Sequence, residues 1–211
     1  MAKLYFKYGA MGSSKSANAL MTEYNYKEVG KRVIIAKPCI DTRDGERIIK
    51  SRIGLSSNCI YLEELLCKEV VDGLAVLREC SSGVQAEEIR EQLLGNKLLC
   101  DAIIVDEAQF ASAEQIDLLS DIVDYLDIPV LCYGLRADFQ NNAFSGSMRL
   151  LEVADSVEEI KTVCWCGRKA ICNARYNENG IVRHGEQIEL GANDKYIALC
   201  RKHWKEGKLR G

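Results

Sequence analysis

No apolar run in this 211-residue chain approaches the roughly 20 residues a membrane-spanning helix needs, so no membrane partner is expected. No charge of one sign dominates: the formal net charge is −3, which does not indicate a nucleic-acid-binding surface. The opening Met1-Ala2-Lys3-Leu4 runs straight into a strand-like pattern and lacks a signal-peptide layout. There is no internal repeat and no low-complexity tract. These absences leave a globular protein, expected in the cytoplasm. With 47% hydrophobic residues it has material for one large domain, or for one core and a small appendage.

One further absence is local. Gly9-Ala10-Met11-Gly12-Ser13-Ser14-Lys15-Ser16 follows the alternating run Leu4-Tyr5-Phe6-Lys7-Tyr8 and opens a helical pattern from Ala17. Strand, glycine-bearing loop and helix make a phosphate cradle. Backbone N–H groups meet the anion, a lysine reaches the β/γ oxygens, and a serine holds Mg²⁺. The usual pattern is G-x-x-x-x-G-K-[ST], and here Ser14 stands where the second glycine belongs. The turn must then take a shape open to an L-residue or carry strain. The alternative is an ordinary N-capped helix.

Val33-Ile34-Ile35-Ala36 reads as a second buried strand, closed by Pro38 and the polar loop Asp41-Thr42-Arg43-Asp44-Gly45. Tyr61-Leu62 ends another short strand. Glu63 to Val71 and Glu87 to Leu94 read as helices. Ala102-Ile103-Ile104-Val105 is a strand buried on both faces. Ser112 to Leu126 is a helix with a capping box at its start, and Pro129 to Tyr133 is a strand. Residues 145–155 read as helix and 157–163 as strand. This alternation implies βαβ units and a mostly parallel sheet, whose ligands bind beyond the strands' carboxyl ends. The pattern changes after residue 163, giving two expected units, 1–163 and 164–211.

Asp106-Glu107 closes the buried strand at 102–105. In phosphate-loop enzymes a carboxylate here holds the metal, and its neighbour can take a proton from an attacking hydroxyl. Two solvated carboxylates at a strand end are the alternative. Asp41 and Arg43 lie on the same expected edge, where an arginine offsets charge on a transferred phosphoryl group; a plain polar turn is the alternative.

Of ten cysteines, Cys39, Cys59, Cys67, Cys80, Cys100 and Cys132 are scattered singly and read as small core residues in a reduced compartment. Cys164, Cys166, Cys172 and Cys200 crowd the last quarter. Cys164-Trp165-Cys166 and Cys200-Arg201-Lys202-His203 offer three sulfurs and one imidazole, a set suited to structural Zn²⁺. Cys172 is expected in the core, and His184 has no candidate partner. The long segment between the knuckles is of the sort that serves as a lid over phosphoryl transfer.

Phosphate loop, Val105-Asp106-Glu107-Ala108-Gln109-Phe110, Asp127-Ile128-Pro129-Val130, Gly134-Leu135-Arg136-Ala137-Asp138-Phe139 and the two knuckles occur in that order. In this the chain resembles the type II, zinc-containing thymidine kinases, most closely their bacterial branch, from Leu4 to about Lys205. The resemblance implies transfer of the ATP γ-phosphoryl to the 5′-hydroxyl of thymidine. It implies an α/β, RecA-like phosphate-loop core and a small zinc lobe with a lasso loop, assembled as a homotetramer. By this likeness Glu107 is the catalytic base. Gly9, Ala10, Met11, Gly12, Ser13, Ser14, Lys15 and Ser16, with Asp106, Glu107, Ala108 and Gln109, hold ATP and Mg²⁺. Asp41 and Arg43 lie near the transferred phosphate. Met11, Phe110, Leu135, Phe139, Phe144 and Tyr196 surround thymine and sugar, with Asn173 and Arg175 as contacts in the lasso. Cys164, Cys166, Cys200 and His203 bind Zn²⁺. The chain departs from the family's pattern at Ser14, which replaces a glycine, and at Gly12, which replaces a larger residue.

Two other classes fit parts of the chain. A helicase-like ATPase shares the Asp106-Glu107-Ala108-Gln109 box but needs a second core and a basic track. A non-catalytic zinc module explains residues 164–203 and leaves the loop and the acidic pair idle.

Overall fold

A computed structural model describes residues 1–41, 45, 47–65, 69–71, 74–76, 100–187 and 195–211. Its elements run β1 (Leu4–Tyr8), α1 (Lys15–Glu28), β2 (Val33–Lys37), β3 (Ile48–Lys50), β4 (Ser56–Asn58), β5 (Ile60–Tyr61), α2 (Leu62–Leu65), β6 (Glu69–Val71), β7 (Leu74–Val76) and β8 (Ala102–Val105). A 3₁₀ turn (Ala108–Phe110), α3 (Ala113–Leu126), β9 (Val130–Gly134), α4 (Ser145–Val153) and β10 (Ser156–Glu159) complete the core. The rest is β11 (Thr162–Val163), β12 (Lys169–Ala170), β13 (Cys172–Asn177), β14 (Gly180–Ile181), β15 (Lys195–Leu199) and α5 (Arg201–Glu206).

Six strands form one sheet in the order β10-β1-β9-β8-β2-β5, and every pairing in it is parallel. The apolar runs at 102–105 and 130–134 are buried at every position and occupy the middle. Alternation divides their side chains between the two faces. Leu4, Phe6, Ile103, Val105, Val130 and Cys132 pack with Ile116, Leu119 and Ile122 of α3 and Leu150 of α4. Ile35, Ala102, Ile104, Leu131 and Tyr133 pack with Ala19 and Leu20 of α1. Tyr133 is fully buried, and its hydroxyl pairs with that of Thr22 at 3.0 Å. The expected α/β architecture with a parallel sheet is what forms, and the capping box is present, Ser112 bonding Gln115 in both directions.

Two expectations need correction. Helix does not run from Glu63 to Val71: it covers Leu62–Leu65, and Glu69–Val71 pairs antiparallel with Leu74–Val76. Val70 and Val71 are β-branched, which favours the ladder over a helix. Residues 157–163 are two strands, since β10 follows β1 only to Glu159 and Thr162–Val163 then turns to pair with Lys169–Ala170. The hairpin of β3 and β4 was not legible in the sequence. The helix expected at Glu87 to Leu94 lies outside the described residues.

Beyond β10, β13 pairs with β14 and β15 in a small antiparallel sheet, and α5 packs beside it. Its apolar centre is small: Cys164, Ala170, Ala174, Leu199 and Cys200 are buried there, with Trp204 and Leu209 against them. So little core gains much from a cross-link.

Candidate active site

Because the main sheet is parallel, the carboxyl ends of β1, β9, β8 and β2 share one rim. The loop 9–14 leaves β1, Leu135 follows β9, Asp106 and Glu107 follow β8, and Asp41 lies beyond β2.

The loop at 9–16 is tightly specified. A Cβ on Gly9 would lie 2.3 Å from Ser13 Oγ and 2.4 Å from the Ile160 carbonyl, so only glycine fits. Gly12 has φ +74°, and Ser14 has φ 62° and ψ 30°. The missing glycine therefore leaves a serine in a left-handed conformation, at a cost of about 1–2 kcal/mol. Lys15 is buried and folds over the loop, donating from Nζ to the carbonyls of Gly9 and Ala10 at 3.2 and 3.1 Å. Ser13 Oγ is buried without a hydrogen-bond partner among the described residues.

Asp106 is buried, and its Oδ1 likewise has no hydrogen-bond partner among the described residues. Burial and the adjacent Glu107 charge push its carboxyl well above the ordinary range, against a hydrogen bond from the Ser16 side chain and the positive charge of Lys15. The oxygens of Asp106 and Ser16 are the ligand type of a hard-cation site. Glu107 has φ 52° and ψ 34°, a second left-handed residue on the rim. Its carboxylate accepts from Gln109 Nε2. Asp41 is buried 3.9 Å from the Nζ of buried Lys37, which also donates to the carbonyls of Gly45 and Ile48 at 3.0 Å. Arg43 lies outside the described residues.

Next to this rim is an apolar wall. Phe110 and Phe144 meet edge to face at 5.6 Å, and Leu135, Phe139 and Phe144 are buried. The Arg175 guanidinium lies 3.8 Å from the centre of the Phe139 ring and donates to the Glu186 carbonyl at 3.3 Å. A Cβ on Gly185 would fall 2.4 Å from Arg175 Nη2. Asn173 joins the two halves: its Oδ1 accepts the Met11 amide at 2.8 Å, and its Nδ2 donates to the Ala137 carbonyl at 2.7 Å. Tyr196 is half-buried and sits opposite Arg175 across the β13–β15 ladder.

Beside the small sheet, one ligand atom each from Cys164 and Cys166, in the turn after β11, and from Cys200 and His203, after β15, lies within 4.8 Å of the others. Cys164 Sγ is 3.5 Å from His203 Nδ1, and Cys166 Sγ is 4.0 Å from Cys200 Sγ. A tetrahedral zinc with bonds of about 2.0–2.3 Å needs ligand separations of about 3.5–3.8 Å. Burial alone would raise the Cys164 thiol, but bonds from the Cys166 and Cys200 backbones and from His203 bring it down to about 6, towards the ligating thiolate. The four residues fit such an ion. Cys172 is buried outside this group, as expected.

Two contributors were missed in the sequence. Lys37 ends an apolar strand four residues before Asp41, a spacing that could have flagged a buried cation. Trp204 follows a metal-ligand candidate, and its indole N–H donates to the Phe139 carbonyl at 3.1 Å. No local signal foretells that bond, which spans 65 positions.

The family model described as Thymidine kinase matches residues 2–204. A thymidine kinase of Zymomonas mobilis subsp. mobilis is 45% identical over 208 residues, covering 98% of this chain and 97% of that protein. One from Mannheimia succiniciproducens is 45% identical over 212 residues, covering 99% of each. One from Haemophilus influenzae is 43% identical over 207 residues, covering 98% of this chain and 97% of its own length. A solved structure of Pif1 helicases at forked DNA aligns at 14% identity and a TM-score of 0.43, over 77% of this chain and 40% of that one, too loose to carry an argument. With a family match over nearly its whole length, the chain belongs to the thymidine kinase family.

Proposed function

We propose that this chain transfers the γ-phosphoryl of ATP to the 5′-hydroxyl of thymidine, giving thymidine 5′-monophosphate. The observation that carries this reading is the convergence of Lys15, Ser16 and Glu107 on one buried carboxylate, Asp106, at the rim of the parallel sheet. Lys15 and the loop amides bind the β/γ-phosphates. Ser16 and Asp106 would hold Mg²⁺, which supplies charge neutralisation to the donor phosphates. Glu107 accepts the proton of the 5′-hydroxyl. Asp41, beyond β2, serves the transferred group, and the family resemblance alone assigns Arg43 the same part. Phe110, Leu135, Phe139, Phe144 and Tyr196 enclose the nucleoside with Met11, while Asn173 and Arg175 fix the segment that covers it. Little covalent chemistry falls to the protein; orientation and charge stabilisation dominate.

Cys164, Cys166, Cys200 and His203 would hold Zn²⁺ with no open position, so the ion's part is structural. The same reading divides the chain into a nucleotide-binding unit at 1–163 and a zinc lobe with its lasso at 164–211. It makes the protein a cytoplasmic homotetramer. Incubation with ATP, Mg²⁺ and each of the four deoxynucleosides tests it. A 5′-monophosphate of thymidine, made faster than any purine product, is the expected result. Hydrolysis of ATP stimulated by DNA, without that product, would overturn it.

A further inference from the structure

Gln109 is 2% exposed, and both ends of its amide are engaged within the protein. Its Oε1 accepts the backbone N–H of Leu135 at 2.9 Å. A backbone N–H only donates, so the amide oxygen must face Leu135 and the nitrogen must face the other way. That nitrogen donates to the carboxylate of Glu107. Two glycines seat the turn that carries both residues. A Cβ on Gly134 would lie 2.8 Å from Gln109 Oε1 and 3.1 Å from its backbone nitrogen. A Cβ on Gly146 would lie 2.5 Å from the Ala111 carbonyl and 2.6 Å from that of Ala108. On the far side, the carbonyl of Leu135 accepts the buried hydroxyl of Ser147. One chain of bonds thus runs from α4 through Leu135 and Gln109 to Glu107. Glu107 itself holds a left-handed backbone, which a non-glycine residue keeps only where its surroundings over-determine it.

We infer that Gln109 is a positioning residue, whose amide clamps the Glu107 carboxylate to the Leu135 backbone and so fixes the separation between base and nucleoside wall. The inference rests on the proposed role of Glu107. The bond from Nε2 sets the rotation of the carboxylate before substrate arrives, so proton acceptance needs no reorientation. Losing such a constraint costs turnover more than ground-state binding. The bond from Leu135 has the opposite character: it holds the wall, and its loss falls on thymidine binding.

Two substitutions separate the ends. Gln109→Glu keeps an oxygen for the Leu135 N–H and, once ionised, replaces the donor facing Glu107 with a like charge, so it is read at a pH above the titration of that pair. Gln109→Met removes both bonds and keeps the volume. In steady-state assays of the full chain, Gln109→Glu should lower kcat by roughly tenfold or more with thymidine KM within about threefold. Gln109→Met should lower kcat similarly and raise thymidine KM as well. In a Glu107→Gln background either change should lower kcat by less than about threefold, because the clamp acts on turnover through that carboxylate. A Gln109→Glu enzyme with the parent kcat overturns the inference. So does an equal loss in both backgrounds, which would mark a role in folding alone. If Gln109→Met does not fold, Gln109→Glu and the paired backgrounds decide. A parent protein that makes no thymidine monophosphate overturns the proposed function and this inference with it. An active parent beside an unchanged Gln109→Glu overturns the inference alone.

Discussion

The indole N–H of Trp204 donates to the carbonyl of Phe139 at 3.1 Å, tying the helix that carries His203 to the wall of the proposed nucleoside pocket. The Arg183 guanidinium stacks on the same indole, 4.3 Å from its centre, and donates to the Trp204 carbonyl. The metal cluster and the pocket are therefore joined by one side chain.

Trp204→Phe keeps an aromatic face for Arg183 and removes the bond to Phe139. A hydrogen bond of this kind is worth about 0.5–1.5 kcal/mol net. Thymidine KM should rise about 2–10-fold, with ATP KM unchanged, in initial-rate measurements that vary each substrate in turn. An unchanged thymidine KM would show that the bond does not brace the pocket.

Glu107→Gln keeps the shape of the side chain and removes its basicity. Turnover should fall about 10²–10⁴-fold while thymidine affinity stays within about threefold, since the base acts only as the proton leaves. Equilibrium titration with thymidine beside single-turnover rates separates the two. Equal loss of both would assign Glu107 to binding instead.

Ser14 holds φ 62° and ψ 30° without a side-chain cap to the helix it precedes. Ser14→Gly removes about 1–2 kcal/mol of left-handed strain and adds about 0.4–1 kcal/mol of unfolded-chain entropy, for a net gain near 0.5–1 kcal/mol. Ser14→Val, β-branched at positive φ, should lose at least as much and weaken ATP binding. Thermal melts with and without ATP and Mg²⁺ check both. A Ser14→Gly protein that melts below the parent would show that the serine contributes something the strain does not reveal.

How much of this the sequence carried depends on range. Ile103-Ile104-Val105 is apolar at every position because its strand is covered on both faces, and a pattern that strong needs no tertiary knowledge. Ser112 and Gln115 announce their helix start because a capping box is local chemistry. Cys164, Cys166, Cys200 and His203 are legible because metal-ligand spacing is short within each knuckle. The bonds that organise the rim are not local. Gln109 to Leu135 spans 26 positions and Asn173 to Met11 spans 162. Residue type gives no partner at such distances. At Glu69–Val71 the fault was of period: three residues with two valines suit a strand, and spacing alone could not choose.

Chelation should release about one metal ion per chain and lower the melting temperature by roughly 10 °C, as expected when a small core loses its cross-link. Trp165 stacks on the His203 ring, with centroids 4.1 Å apart and planes 4° from parallel. Its emission should change on chelation, and Trp165→Phe should remove that change. Cys166→Ser should lose the metal, whereas Cys172→Ser, outside the cluster, should retain it. Metal content by mass spectrometry decides, and a Cys172→Ser protein without metal would redraw the ligand set.

Alkaline pH should destabilise the fold through its enclosed thiols, Cys100 among them, which burial pushes up to about 11. Burial pushes Cys59 up to about 11 and Cys132 higher still, above the ordinary value of 9.0. The folded state then holds these protons more tightly than the unfolded chain, so their contribution is complete below pH 9 and falls as pH rises past it. Each thiol costs up to about 1.4 kcal/mol per pH unit in that range, and Cys59 stops contributing to the slope near pH 11. Urea titrations from pH 8 to 10.5 should show the decline. Cys132→Ala should start less stable, from the cavity it leaves, yet decline less steeply because one of these protons is gone. A slope identical to the parent's would mean that Cys132 reaches solvent before the chain unfolds.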